Sequence, residues 1–393
     1  MAPRSALRDL SFSAVIAGFI AVLVGYASSA AIVFQALQAT GASVEQIGGW
    51  LTMLGLGMGI TSLGLSLYYR APILTAWSTP GAALLVTSLP GYSINEAVGV
   101  FIFACALILL CGVTGLFARL MQHIPQAISA AMLAGILLRF GLDAFIALQS
   151  HFVLAAGMCL AFFLTRRLAP RYAVVAALGV GLAVAGLQGQ IAFAGKPLTF
   201  AAPHFIMPHF TLSALMGVGM PFFLVTMASQ NAPGIATLKA AGYRVPTSPL
   251  IAWTGLASLI LAPLGGFSIC IAAITAAICM STEAHPDPAR RYMAAAAAGA
   301  AYLLAGLFGG SIGMVFGALP AALIHTIAGL ALLSTIAGSL HRALLEETHR
   351  DAAIVTFLLT ASGVGFFGIG SAFWGLAGGI ITWGILALPG KTK

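Results

Sequence analysis

Apolar positions along this chain run on for about twenty residues at a time and then give way to short polar breaks. A helix needs roughly 20 mostly apolar residues to cross the hydrocarbon of a bilayer, so each run predicts one crossing. Read between the breaks, the runs fall near residues 12–34, 46–69, 73–89, 95–118, 124–139, 150–165 and 171–188. They resume near 211–231, 248–263, 265–281, 291–309, 317–338, 352–369 and 371–388. The pattern predicts an all-α polytopic membrane protein of fourteen segments, seven in each half. Local chemistry marks several starts: Ser43 with Gln46 and Ser93 with Glu96 have capping-box spacing, and Pro125 and Pro320 suit a first helical turn.

The halves resemble one another. Leu23-Val24-Gly25-Tyr26-Ala27-Ser28 matches Leu224-Val225-Thr226-Met227-Ala228-Ser229, and Leu37, Ala39 and Gly41 match Leu238, Ala240 and Gly242 at the same offset of 201 residues (224 − 23). A second likeness sets Ala71-Pro72, Trp77-Ser78 and Ala82-Ala83 beside Ala262-Pro263, Phe267-Ser268 and Ala272-Ala273, an offset near 190 (267 − 77). A third sets Pro125 beside Pro320. We therefore divide the chain into repeats at 1–195 and 196–393. Seven crossings is an odd number, so the second copy enters the membrane from the opposite face, the inverted-repeat plan common in secondary transporters.

Composition agrees: 60% of the 393 residues are hydrophobic, 7% are charged and the mean hydropathy is +1.04. An average soluble domain carries roughly 25% charged residues. The formal charge of +8 does not point to nucleic acid, because the basic residues stand singly or in pairs at the ends of apolar runs. With both termini cytoplasmic, the inner segments hold Arg4, Arg8, Arg70, Arg119, Arg166, Arg167, Arg171, Lys239, Arg244, Arg290, Arg291, Arg342, Arg350, Lys391 and Lys393, and the outer ones only Arg139 and Lys196. That asymmetry follows the positive-inside rule. The first run lacks a small-residue cleavage site and is kept as a span rather than a signal peptide. Cys105, Cys111, Cys159, Cys270 and Cys279 lie in apolar runs without metal-site or disulfide spacing, so neither metal nor cofactor is expected.

Candidate chemistry sits where apolar runs are interrupted. The third, Ile73-Leu74-Thr75-Ala76-Trp77-Ser78-Thr79-Pro80-Gly81, holds Pro and Gly, and its mate Leu264-Gly265-Gly266-Phe267-Ser268 holds a Gly pair. Each predicts an extended stretch followed by a half-helix, starting near Ser78 or Ser268, with the two N-termini facing each other in mid-membrane. Free N–H groups and the positive dipole end there hold an anion without any Arg. Ser78, Thr79, Gly81, Ser268 and Ile269 are the expected donors; capping or small-residue packing is the alternative. The adjacent carboxamides Gln230 and Asn231 need a partner at membrane depth, either substrate or half-helix backbone. Tyr26, Trp77 and Phe267 are weaker candidates for sandwiching a flat ring, with packing as the alternative. No acid is placed in mid-span: Asp143 and the other eight carboxylates are read as ends or loops. His325, inside a span, is a candidate for proton coupling or a histidine bonded to a neighbouring carbonyl. Without paired carboxylates or a His or Cys cluster in the spans, an enzyme is not expected.

At Met227-Ala228-Ser229-Gln230-Asn231-Ala232-Pro233-Gly234, Pro72 to Gly81 and Gly265-Gly266-Phe267, the chain resembles the benzoate:proton symporter family over nearly its whole length. That family is distantly similar to nucleobase and sulfate permeases. The resemblance implies a core domain of spans 1–4 and 8–11 (about 12–118 and 211–309) and a gate domain of spans 5–7 and 12–14 (about 124–188 and 317–388), with substrate between spans 3 and 10. It also implies an inner-membrane homodimer importing an aromatic carboxylate with protons. The nucleobase permeases carry a substrate-binding Glu in span 8 where this chain has Gln230 or Asn231, which suits a carboxylate cargo. Transport of nucleobases or inorganic anions, or an anion channel, remains open on the same scaffold.

Overall fold

The computed structural model describes residues 9–116, 125–191, 201–367 and 369–387. Of the basic residues used for topology, Arg4, Arg8, Arg119, Lys196, Lys391 and Lys393 lie outside the described residues, as does the 195/196 repeat boundary. The first half holds α1 (Phe12–Ala39), α2 (Val44–Tyr69), β1 (Thr75–Trp77), α3 (Thr79–Ser88), α4 (Ile94–Thr114), α5 (Gln126–Ser150), α6 (Phe152–Leu168) and α7 (Ala173–Leu187). The second holds α8 (Leu212–Ala240), α9 (Thr247–Leu261), β2 (Ile269–Ile271), α10 (Ile274–Met280), α11 (Tyr292–Leu307), α12 (Gly309–Ala318), α13 (Ala321–Leu344), α14 (Arg350–Ala361) and α15 (Ser371–Leu386).

Among the described residues seven helices are long and apolar enough to cross a bilayer: α1, α2, α4, α5, α8, α9 with its 3-10 extension, and α13; an eighth is added if the pair α11 and α12 is one span. That pair is bent by 67° across the break at Phe308, and α12 falls where the sequence pattern placed only a connection. Ser43 and Ser93 form full capping boxes with Gln46 and Glu96. Pro125 and Pro320 stand one residue before the first turn, at the N-cap.

A larger correction concerns α5. It continues to Ser150, eleven residues past the predicted end at 139, and carries Arg139 and Asp143 inside the helix instead of at its outer end. Reading Arg139 as a boundary was the error, since a charge does not stop a helix that Leu, Ala and Phe on either side sustain.

With little hydrophobic drive between helices in lipid, close packing at small residues holds them together. A Cβ on Gly55 of α2 would lie 2.5 Å from the Cα of Gly306 in α11. Likewise, a Cβ on Gly112 of α4 would lie 2.4 Å from the backbone nitrogen of Ala252 in α9. The two contacts are counterparts: α2 with α11 becomes α9 with α4 when the halves are exchanged. A second group forms around α5 and α13, flanked by α6, α7, α14 and α15. Large apolar side chains such as Phe19, Ile60, Leu110, Phe152 and Ile381 point outward.

Candidate functional site

β1 and β2 cross in the interior and pair antiparallel, Thr75 opposite Ile271, Ala76 opposite Cys270 and Trp77 opposite Ile269. At the flanks the Ser78 N–H donates to the Ser268 carbonyl (3.2 Å) and the Ala272 N–H to that of Leu74 (2.9 Å). Non-helical backbone at membrane depth is tolerated only where its polar groups find partners inside the protein. Four N–H groups point away from the partner strand, and each has an acceptor. Thr75 donates to Ser62 Oγ (2.9 Å), Trp77 to Met58 Sδ (3.1 Å), Ile269 to Ser258 Oγ (2.7 Å) and Ile271 to Asn231 Oδ1 (3.0 Å).

Thr75 held by Ser62 of α2 and Ile269 held by Ser258 of α9 are equivalent pairs. They set the register of the repeat: 269 − 75 gives an offset of 194, not the 190 read from Trp77-Ser78 and Phe267-Ser268. Ser78 therefore corresponds to Ala272 rather than to Ser268.

This register moves the second half-helix. The first begins as expected, with Ser78 Oγ accepting from the Gly81 N–H (3.0 Å) and Pro80 in the first turn. The second begins at Ile274, not near Ser268. Ser268, in the left-handed region at φ 60°, precedes β2, gives its carbonyl to Ser78 and lies 3.3 Å from Cys270 Sγ. The Ile269 N–H is consumed by Ser258. The Ser268 hydroxyl and the Ile269 N–H thus both have partners within the protein. Ala273, at the N-cap of α10, has no side chain to cap it, so the N–H groups of Ile274, Thr275 and Ala276 have no acceptor among the described residues. Thr275, whose hydroxyl makes no hydrogen bond there either, was missed in the sequence; its only signal was Thr following a break in an apolar run.

Span α8 ties both crossings together. Thr226 Oγ1 donates to Ser78 Oγ (3.2 Å), and Asn231 accepts from Ile271 while its amide lies 3.4 Å from Met227 Sδ. Asn231 is fully buried and its partner is the backbone of β2, the strand that leads into the second half-helix. Between these anchors Met227–Asn231 forms a π-turn, a rare feature frequent at functional sites. The turn leaves Gln230 half-buried, with no hydrogen bond to any described residue. Thr79 is likewise half-buried and unpaired. Gly81 has no room for a side chain: a Cβ would meet Phe222, Ser78 and Thr226 within 3 Å.

The aromatic candidates separate. Trp77 is locked by its indole N–H donating to Ser29 Oγ (2.7 Å), with the half-buried Tyr26 ring edge-on at 4.9 Å. The Tyr26 hydroxyl is buried with no partner among the described residues. Phe267 is fully buried, stacked on Phe101 at 4.9 Å, and belongs to the packed core. His325 stands exposed on α13 and bonds to none of the site residues.

Around the two crossings the structure thus offers hydroxyls, a carboxamide and uncapped backbone donors, and among the described residues no carboxylate is hydrogen-bonded to any of them. A family model described as benzoate membrane transport protein matches residues 8–385. The chain is 57% identical over 373 residues to inner membrane protein YdcO of Escherichia coli (strain K12), covering 95% of both. It is 41% identical over 382 residues to a benzoate membrane transport protein of Acinetobacter baylyi, covering 97% of both. Among solved structures, SLC26A9 superposes with a TM-score of 0.61 at 11% identity, over 97% of this chain and 67% of that one. The transmembrane domain of the cyanobacterial bicarbonate transporter BicA gives 0.54 at 13% identity, over 94% and 98%. The fold is thereby that of these membrane transporters.

Proposed function

The chain belongs to the benzoate membrane transport protein family, and on that premise we propose that it imports benzoate or a related aromatic carboxylate together with protons by alternating access. The observations that carry the reading are the uncapped start of α10 and the unpaired carboxamide of Gln230 on the π-turn that packs against β2, neutral donors suited to a carboxylate. Thr79 and Thr275 add hydroxyl donors, and Tyr26 with the locked Trp77 offers ring faces. Ser78, Gly81 and Asn231 act by shaping the crossing.

Proton coupling has a physical motive. Moving an anion inward against an inside-negative potential costs about 2.3 kcal/mol per 100 mV, and a proton carried along cancels that work. His325 is the candidate carrier, exposed on a helix of the α5–α13 group. The contact pattern supports a core (α1–α4 and α8–α11) moving against a gate (α5–α7 and α13–α15), the halves being inverted repeats. Both termini face the cytoplasm in this reading, and two copies form a homodimer.

The test is uptake of radiolabelled benzoate into proteoliposomes with and without an inward proton gradient, empty liposomes correcting for neutral acid that crosses lipid unaided. Accumulation above equilibrium only with the gradient is expected. Downhill flux alone, with large conductance, would instead identify a channel, and transport of bicarbonate or sulfate without benzoate competition would reassign the cargo.

A further inference from the structure

We propose that Arg139, with Asp143 one turn beyond it, lines a water-filled approach on the α5 side of the site and draws the carboxylate into it. The inference rests on the proposed function for its cargo, and on α5 and the helices packed against it for its geometry.

Helix α5 runs 25 residues, so Arg139, its fourteenth, stands at the middle of the helix. The nearer helix end is about 17 Å away at 1.5 Å per residue. That is farther than an Arg side chain reaches, so snorkelling to the interface does not relieve the charge. Neither Arg139 nor Asp143 makes an ion pair or hydrogen bond with any described residue, and Arg139 is exposed. An ionised side chain facing hydrocarbon at that depth costs several kcal/mol, and such residues instead face the interior or a water-filled cavity.

Helical geometry says which way they face. Met132, Ile136, Arg139 and Asp143 are spaced 4, 3 and 4 residues apart and form one stripe along α5. Its lower part is apolar and buried, Met132 at 1% and Ile136 at 4% exposure, within the same core cluster as Leu84, Leu85, Phe222 and Met227 of α3 and α8. The α13 contact lies on another face, where Gly329 meets Phe140 and Ala144, and α14 meets Gly135 through Thr360. The foot of α5 meets α15, where Ile128 packs on Gly379, and α5 also touches α3 and the π-turn of α8, which puts the site on one side of it. Halfway along it, buried apolar packing gives way to the exposed Arg139 and the half-buried Asp143, as the wall of a cleft opening away from the site would. Asp143 offsets the Arg139 charge until an anion arrives.

Two measurements test this. Arg139→Cys in sealed vesicles is treated with a charged, membrane-impermeant thiosulfonate; the wild type, with its cysteines buried or half-buried, sets the background. Labelling is expected, and no labelling above background overturns the proposal by placing the residue in lipid. Arg139→Gln is expected to raise the benzoate concentration for half-maximal uptake between about five- and thirtyfold, the range for unit charges about 8 Å apart at intermediate dielectric. The effect shrinks with added salt, and Arg139→Lys restores most of the affinity. Unchanged uptake in Arg139→Gln overturns the steering role. Should the wild type itself fail to take up benzoate, the proposed function falls, and labelling alone decides whether Arg139 lines an aqueous path.

Discussion

Gln230→Glu replaces the unpaired carboxamide with a near-isosteric acid and tests whether this position faces the bound carboxylate. The π-turn that presents Gln230 is anchored on both sides, by Thr226 to Ser78 and by Asn231 to Ile271, so the exchange alters charge without moving the backbone. Two like charges about 4 Å apart repel by about 1 kcal/mol in water and about 4 kcal/mol at an effective dielectric near 20. At 1.4 kcal/mol per tenfold, benzoate binding should weaken between about five- and 800-fold. Gln230→Ala removes only a hydrogen bond to a charged group, about 1.5–3 kcal/mol, and separates the two effects through pH. The defect of the Glu variant grows as its carboxyl ionises, whereas that of the Ala variant stays flat while benzoate remains ionised. Equilibrium binding of labelled benzoate in detergent from about pH 5.5 to about 8, across which a partly buried Glu ionises, reads both. A Gln230→Glu protein that binds within about twofold of wild type at the upper end would refute direct contact, since even the fully screened repulsion exceeds that.

Asn231→Ala should destabilise the protein by about 1–3 kcal/mol in detergent thermal unfolding, because it orphans the buried Ile271 N–H, whereas Asn231→Asp keeps an acceptor there and recovers part of the loss at acidic pH, where its carboxyl is neutral. Ser258→Ala should cost a similar amount, about 1–3 kcal/mol, by stranding the Ile269 N–H; Ser258→Thr, which retains the hydroxyl, recovers part of it in the same assay. Gly55→Leu forces α2 from α11, where backbones touch, and should abolish a monodisperse peak in size-exclusion chromatography, while Gly64→Leu, with open space beside it, should not.

Much of this fold was legible because interruptions in apolar runs are hard to disguise. Pro80 with Gly81 and Gly265 with Gly266 announced the two crossings, and Ser78 announced the first cap. The start of the second half-helix was not legible. Ile269-Cys270-Ile271 is an apolar, β-branched stretch that reads equally well as strand or helix, and only pairing with Thr75–Trp77 decides the matter. That ambiguity is why the likeness of Trp77-Ser78 to Phe267-Ser268 misset the register and put the start of the second half-helix near Ser268 instead of at Ile274. Asn231 and Gln230 looked alike in sequence; a π-turn that no apolar pattern encodes sends one to the backbone and leaves the other unpaired.

The paired strands also bear on how the polypeptide is made. The inward-facing hydrogen-bonding groups of Ala76 have Cys270 as their counterpart, so nearly two hundred further residues must leave the ribosome before the first strand can be completed. Until then a bare edge has to be shielded, by the insertion machinery or by a provisional neighbour. A chain truncated before Cys270 should therefore be a preferred substrate for membrane quality control even though most of its first seven segments are already threaded.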